Sequence, residues 1–314
     1  MKKIILFFLL ISKVSFGQKS NDKIIYLDSL QNEVTLENQY YTKIVKDYYL
    51  EKTEYKYLTL YKSGKVKEEK TLSGKDGGYV IGEEISYYEN GNKSSSIPYE
   101  NKKQNGKTYS WYEDGKLKEE GKFDSNYFST GKHFKMINYW NEKGEKIVSD
   151  GNGSVGFKNE YYEDNGNYKN GYKVGKWSGK SLKGTFSYEE IYSDGELVSG
   201  ISTESDGTKN EYSILEVKPE PVKGMGHFYK YIANNFSAPN SAYKNKIKGK
   251  IVVSFVVDKE GEIIEPKIIK SLGTELDNEA IRILTSYDKW KPALQKGRKV
   301  RCSFSIPIQL DFTR

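Results

Sequence analysis

The chain of 314 residues carries 29 glycines and 27 tyrosines but only 36% hydrophobic residues, which argues against one large α/β core and suits many short tyrosine-bearing strands between glycine turns. Its only cysteine, Cys302, excludes an intramolecular disulfide and an N-terminal lipid-modified cysteine. The 50 basic and 43 acidic residues are interspersed, and subtracting Lys2, Lys3 and Lys13 leaves +4 of the formal +7, too diffuse a surplus to imply nucleic acid as a partner.

The chain begins MKKIILFFLLISKVSFGQ: Lys2 and Lys3, the apolar run Ile4 to Ile11, then small and polar residues around Ser15 to Gly17. That order is the layout of a secretory signal peptide over residues 1–17. The apolar run is well below the ~20 residues of a spanning helix, and no later stretch is apolar enough to cross a bilayer. A periplasmic protein with no integral span is therefore expected, an inner-membrane anchor facing the periplasm being the alternative. Residues 18–57 are rich in tyrosine and charge without a clean period, and either begin the following array or cap it.

From Leu58 to Glu216 the chain repeats itself. One or two aromatics, a few polar residues and a glycine recur in YKSG (Tyr61–Gly64), YYENG (Tyr87–Gly91), WYEDG (Trp111–Gly115), YWNEKG (Tyr139–Gly144), YYEDNG (Tyr161–Gly166) and YSDG (Tyr192–Gly195), with glycines spaced by 22 to 29 residues. Such spacing belongs to stacked repeats. Asn-Gly, Asp-Gly and Ser-Gly supply the positive φ angles of tight turns, so each unit reads as a hairpin whose aromatic packs on the next. A lone hairpin is marginal in water, and the units must stack into a continuous strip. In this Tyr/Gly pattern the chain resembles the MORN-like variant repeats of bacterial envelope proteins. GNGSVG (Gly151–Gly156) matches a dinucleotide-binding spacing, but neither KGEKIVSD before it nor FKNEYYEDNG after it provides a strand and a helix, and it reads as a turn.

Composition shifts at VKPEPVKG, where Pro219 and Pro221 make residues 217–223 a short stiff connector. Beyond it, residues 224–314 read as helix, strand, strand, helix, strand. HFYKYIANNF sets Phe228, Tyr231, Ile232 and Phe236 on one helical face, with its stop at Ala238-Pro239. KIVVSFVVD is apolar on both faces, as a middle strand would be; DKEG turns the chain into EIIEPKIIKS, where Pro266 marks an edge or a bulge. TELDNEAIRILTSYDKW spaces Leu276, Ala280, Ile283, Leu284 and Tyr287 for a helix capped by Thr274 with Asp277. A loop, LQKGRK, leads into VRCSFSIPIQLDF, which alternates inward Val300, Cys302, Phe304, Ile306, Ile308 and Leu310 with outward Arg301, Ser303, Ser305 and Gln309. Pro307 has no N–H for a ladder, so this strand belongs at a sheet edge. The fold class expected is a mainly β array of stacked hairpins, followed by a small α+β domain with a three-stranded antiparallel sheet and two helices.

The run Ile247–Phe312 resembles the C-terminal domain of TonB, the periplasmic energy transducer of Gram-negative bacteria. The resemblance lies in GKIVVSFVVDKEG at Gly249–Gly261, KSLGTELDNEAIR at Lys270–Arg282, KWKP at Lys289–Pro292 and the IPI at Ile306–Ile308. It implies an open last strand that accepts a short extended segment, the TonB box, from outer-membrane receptors. Strand addition needs unpaired backbone groups, and the partner-binding residues expected are Arg301, Cys302, Ser303, Phe304 and Ser305, with Pro307 ending the docking stretch. Open edges also imply a homodimer as a further partner. The chain departs from the family in having a signal-like start in place of a transmembrane helix, hairpin repeats in place of a proline-rich spacer, and Ala238-Pro239 in place of Tyr-Pro.

Two functions stand open at this point: a TonB-family protein that contacts TonB-dependent receptors and supports energy-coupled transport, and a non-transducing envelope scaffold whose repeats bind a protein or cell-wall partner. An enzyme is not expected, because His133 and His227 are far apart and neither accompanies a nucleophile motif. No cofactor motif and no metal-ligand spacing is present.

Overall fold

The computed structural model describes residues 20–29, 31–127, 132–158 and 161–313. The expected signal peptide, residues 1–17, lies outside the described residues. The chain divides into two compact units, one ending at Asn152 and the other beginning at Gly153. It is a long run of antiparallel hairpins followed by a small α+β domain.

The first unit contains strands β1 (Lys23–Leu27), β2 (Tyr41–Val45), β3 (Tyr55–Tyr61), β4 (Val66–Leu72), β5 (Val80–Tyr87), β6 (Lys93–Glu100), β7 (Gly106–Trp111), β8 (Leu117–Phe123), β9 (Phe134–Trp140) and β10 (Lys146–Ser149). Each pairs antiparallel with the next. The stretch Ile24 to Tyr57, undecided from sequence, thus supplies β1, β2 and the start of β3.

Four loops of the first unit share one geometry. In Tyr61–Lys65, Tyr88–Asn92, Tyr112–Lys116 and Asn141–Glu145 the glycine N–H donates to the first residue's C=O, and the first residue's N–H donates to the fifth residue's C=O. This is a type I turn closed by a left-handed residue, and Gly64, Gly91, Gly115 and Gly144 have φ between +82° and +97°. The repeat also has a directional hydrogen bond. Tyr61, Tyr88 and Tyr112 each donate their hydroxyl at 2.8 Å to a backbone C=O near the start of the next loop, at Tyr87, Trp111 and Trp140. Those contacts give the tyrosine spacing its physical meaning.

The second unit continues with β11 (Asn152–Lys158), β12 (Tyr162–Lys169), β13 (Tyr172–Ser181), β14 (Phe186–Ser193), β15 (Glu196–Glu204) and β16 (Lys209–Tyr212), again paired in sequence. Two expectations are corrected here. GNGSVG is not a turn: beyond Gly151 it lies in β11, which runs antiparallel to β12. Gly166 is not a turn glycine either, but sits within β12, where the fully buried Trp177 of β13 covers it so closely that a Cβ would lie 2.0 Å from the indole. Among the described residues the two-residue turns of this region are Asn170-Gly171 and Asp194-Gly195, both residues of each having positive φ, as such hairpin loops require. Glu204–Thr208 repeats the glycine loop of the first unit around Gly207.

The α+β domain comprises α1 (Gly224–Asn235), α2 (Asn240–Lys244), β17 (Lys248–Val257), β18 (Ile263–Lys270), α3 (Thr274–Thr285), β19 (Ala293–Gln295), β20 (Arg298–Val300) and β21 (Cys302–Asp311). The main sheet has the order β18–β17–β21, all antiparallel. Its buried face carries Ile251, Val253, Phe255, Val257, Ile306 and Ile308, closed by Phe228 and Ile232 of α1 and by Leu276, Ile283 and Leu284 of α3. Gly261 closes the β17–β18 turn at φ +84°, and a Cβ there would meet the Trp290 carbonyl at 1.9 Å. Pro266 follows a bulge at Glu265, which has φ +55°.

Three further expectations change in this domain. The α3 N-cap is Gly273 without a side-chain cap bond, and Asp277 instead reaches back to accept from the Leu272 N–H at 3.2 Å. LQKGRK forms a hairpin, with β19 paired to β20 around Lys296-Gly297. Val300 therefore ends β20, and the last strand begins only at Cys302. The proline-bearing stretch before α1 runs beside this domain, Glu216–Val217 pairing with β19 and Glu220–Pro221 with Trp290–Lys291.

Candidate partner-binding edge

β21 pairs along its whole length with β17 and, among the described residues, with no other strand. Pro307 stands opposite Val252 in an unbroken register. Because proline has no N–H to give, this must be a position whose backbone groups point away from β17. Alternation then turns the N–H and C=O of Ser303, Ser305 and Gln309 outward as well.

The side chains alternate in step. Ile306, Ile308 and Leu310 are buried, while Ser303, Ser305, Pro307 and Gln309 are exposed. Of the five residues expected to bind a partner, Ser303 and Ser305 present open backbone. Cys302 and Phe304 turn inward, Phe304 packing on Phe255 and Trp290 at ring distances of 5.8 and 5.5 Å. Arg301 stands outside the strand, in the break between β20 and β21, and its guanidinium pairs with Glu265 at 2.6 Å.

At the other end, Asp311 pairs with Lys248 at 2.8 Å, and that ammonium, with Thr313, holds its carboxyl well below the usual carboxylate range. Between these two ion pairs the outward side chains are uncharged.

Sequence reasoning missed the groove beside this edge. A cavity of about 460 Å³ runs between α1 and the second half of β21, walled by Tyr229, Ala233, Phe236, Tyr243, Pro307 and Phe312. Tyr229 and Tyr243 are 41% and 56% exposed, and Tyr243 meets Phe312 edge-on at 5.0 Å. In the sequence Tyr229 lies off the apolar face of its helix, and nothing local places it beside the last strand. A strand laid on β21 would put alternate side chains over this groove.

His227 shares a hydrogen bond of 2.8 Å with the Tyr287 hydroxyl, which joins α1 to the segment after α3. Among the described residues no cluster of potential metal ligands occurs, and no helix is long and apolar enough to cross a membrane.

Residues 235–311, from the last residue of α1 to the last of β21, match the family model described as Gram-negative bacterial TonB protein C-terminal. No curated protein matches the chain.

Proposed function

We propose, from the TonB-type C-terminal region at residues 235–311, that this chain is a periplasmic TonB-family protein that binds extended segments of TonB-dependent outer-membrane receptors by β-strand addition. The observation that carries this is β21, an outer strand whose outward backbone groups lie next to an apolar groove. Main-chain hydrogen bonds would give the affinity, and pockets for alternate side chains the selectivity. Ser303 and Ser305 supply the donors, Arg301 opens the docking stretch, Cys302 and Phe304 hold it against the core, and Pro307 interrupts the donors. The same edge allows two copies to pair, with Pro307 limiting how far. A cleaved leader over residues 1–17 delivers the chain to the periplasm, and the hairpins, taken as MORN-like repeats, present the binding domain there in support of energy-coupled transport.

The test is calorimetric titration of the full chain with a synthetic TonB-box peptide, comparing wild type with Ser305→Pro. This substitution removes an outward N–H and leaves the ladder to β17 intact. At least tenfold weaker binding with an unchanged melting temperature is expected. Equal binding by the variant would sink the proposal.

A further inference from the structure

We propose that the first unit carries a binding site for an acidic sugar, one bearing two or more carboxylate or phosphate groups, on the face of β1–β4. Two cross-strand rows build it. Lys23, Val45, Tyr57 and Lys70 align across β1, β2, β3 and β4, and beside them Ile25, Lys43, Thr59 and Glu68 align in the same order. Residues in one row point to one face of the sheet, and rows two residues apart share that face.

A bulge adds a further cation. Thr59 pairs with Glu68 and Leu60 with Val66, so Lys67 is the extra residue, and its ammonium lies 3.8 Å from the Tyr41 ring centroid. The loop after β4 forms a wall. Tyr57 donates its hydroxyl to the Lys75 carbonyl at 2.6 Å, and Tyr48 donates to the Asp76 carboxylate at 2.7 Å. The two rows, Lys67 and the Lys75–Asp76 corner of that loop line a cavity of about 560 Å³, within the range of small-molecule sites.

The charge in this cavity is unbalanced. Five lysines, at 23, 43, 67, 70 and 75, face two carboxylates, Glu68 and Asp76. Lys70 is paired with Glu68 at 2.7 Å, and Lys75 with Glu51 at 3.2 Å. Lys23, Lys43 and Lys67 make no ion pair among the described residues, although all three are half-buried. Like charges gathered in a partly desolvated hollow repel one another, and an anionic occupant offsets that cost.

The spread of the charges selects the ligand. Lys23 and Lys70 stand on strands three spacings apart, roughly 14 Å, too wide for a single phosphate ion. The floor between them offers the Thr59 hydroxyl and the half-buried aliphatic side chain of Ile25, which suit sugar hydroxyls and the C–H face of a sugar ring.

The experiment is calorimetric titration of the full chain with trigalacturonate and with glucose 1,6-bisphosphate, using maltotriose, inorganic phosphate and phosphatidylglycerol vesicles as comparisons. Saturable binding of at least one acidic sugar is expected, weakening at least tenfold in the double variant Lys43→Gln/Lys67→Gln and kept in Lys65→Gln, which changes an exposed turn lysine. Lys67→Gln also gives up the cation–π contact with Tyr41. The single variant Lys43→Gln, whose lysine makes no ion pair among the described residues, is therefore measured beside it: its binding should weaken too, and its unliganded melting temperature should not fall. No binding of either acidic sugar, equal binding of maltotriose or inorganic phosphate, equal loss in Lys65→Gln, or binding to vesicles alone would each overturn the proposal.

Discussion

In the α+β domain sixteen buried side chains, from Phe228 to Leu310, form one cluster, whereas the cluster on β1–β4 has only Val45, Tyr55, Tyr57 and Leu72. The difference follows from layering. Helices α1 and α3 cover a sheet face and shut water out, so apolar area supplies the stability there. Among the described residues no helix is laid over the hairpins of the first unit, and their buried side chains, such as Tyr55, Tyr57 and Tyr139, sit in small separate groups between strands. Their cohesion comes from local contacts instead: tyrosine hydroxyls on the next repeat's backbone, glycines under rings, and cation–π pairs such as Lys67 on Tyr41. Damage should therefore spread through the α+β domain and stay local among the hairpins.

The largest effect is expected in the single core. Phe255, 1% exposed and packed on Trp290 at 5.3 Å, should cost about 3–5 kcal/mol when cut to alanine. Denaturant unfolding of Phe255→Ala should show the α+β domain melting early while the hairpins of the first unit keep their midpoint; a shared shift of both would erase the contrast. Gly166→Ala comes next, at about 1–3 kcal/mol for overpacking, because Trp177 covers that site. Its signature is a change in Trp177 fluorescence with the α+β midpoint held, and an unperturbed Trp177 would mean that the ring does not depend on the missing Cβ.

The smallest effect, which sharpens the contrast, is alkaline. Burial and the Glu69 carboxylate that it donates to at 2.6 Å push the Tyr87 hydroxyl up to about 12. Burial also pushes up Tyr139, Tyr188, Tyr192 and Tyr212. An unfolded tyrosine ionises near ~10, so between about 10 and 12 the unfolded chain has released protons that the folded hairpins keep. This stabilisation is complete below pH ~10 and falls as pH rises toward about 12. Melting curves from pH 8 to 11.5 should show the hairpins weakening before the α+β domain, and Tyr87→Phe, costing about 1 kcal/mol at neutral pH, should flatten that decline. A pH-independent hairpin melt would remove tyrosine burial as the cause.

Much of this architecture was legible because its causes are local. A glycine with positive φ closes a loop whatever packs around it, so Gly64, Gly91, Gly115, Gly144 and Gly195 were found as turns. The apolar face of α3 and the two apolar faces of β17 follow from helix and strand periods, and Pro307 marked an edge by lacking one N–H. The failures share the opposite property. Gly166 looks like the other turn glycines until Trp177 is brought over it from the neighbouring strand. Arg301 continues a perfect alternation, yet the pairing of β19 with β20 ends one strand just before it.

By itself, then, the sequence determined the hairpin loops, the order of the C-terminal elements and the open last strand, since each depends on residues a few positions apart. Only tertiary structure decided what lies beside them. The groove along β21 needs two helices and a strand more than sixty residues away, and the lysine-lined hollow needs the registers of four strands at once. Residue spacing records neither, because cross-strand neighbours are set by pairing rather than by distance along the chain.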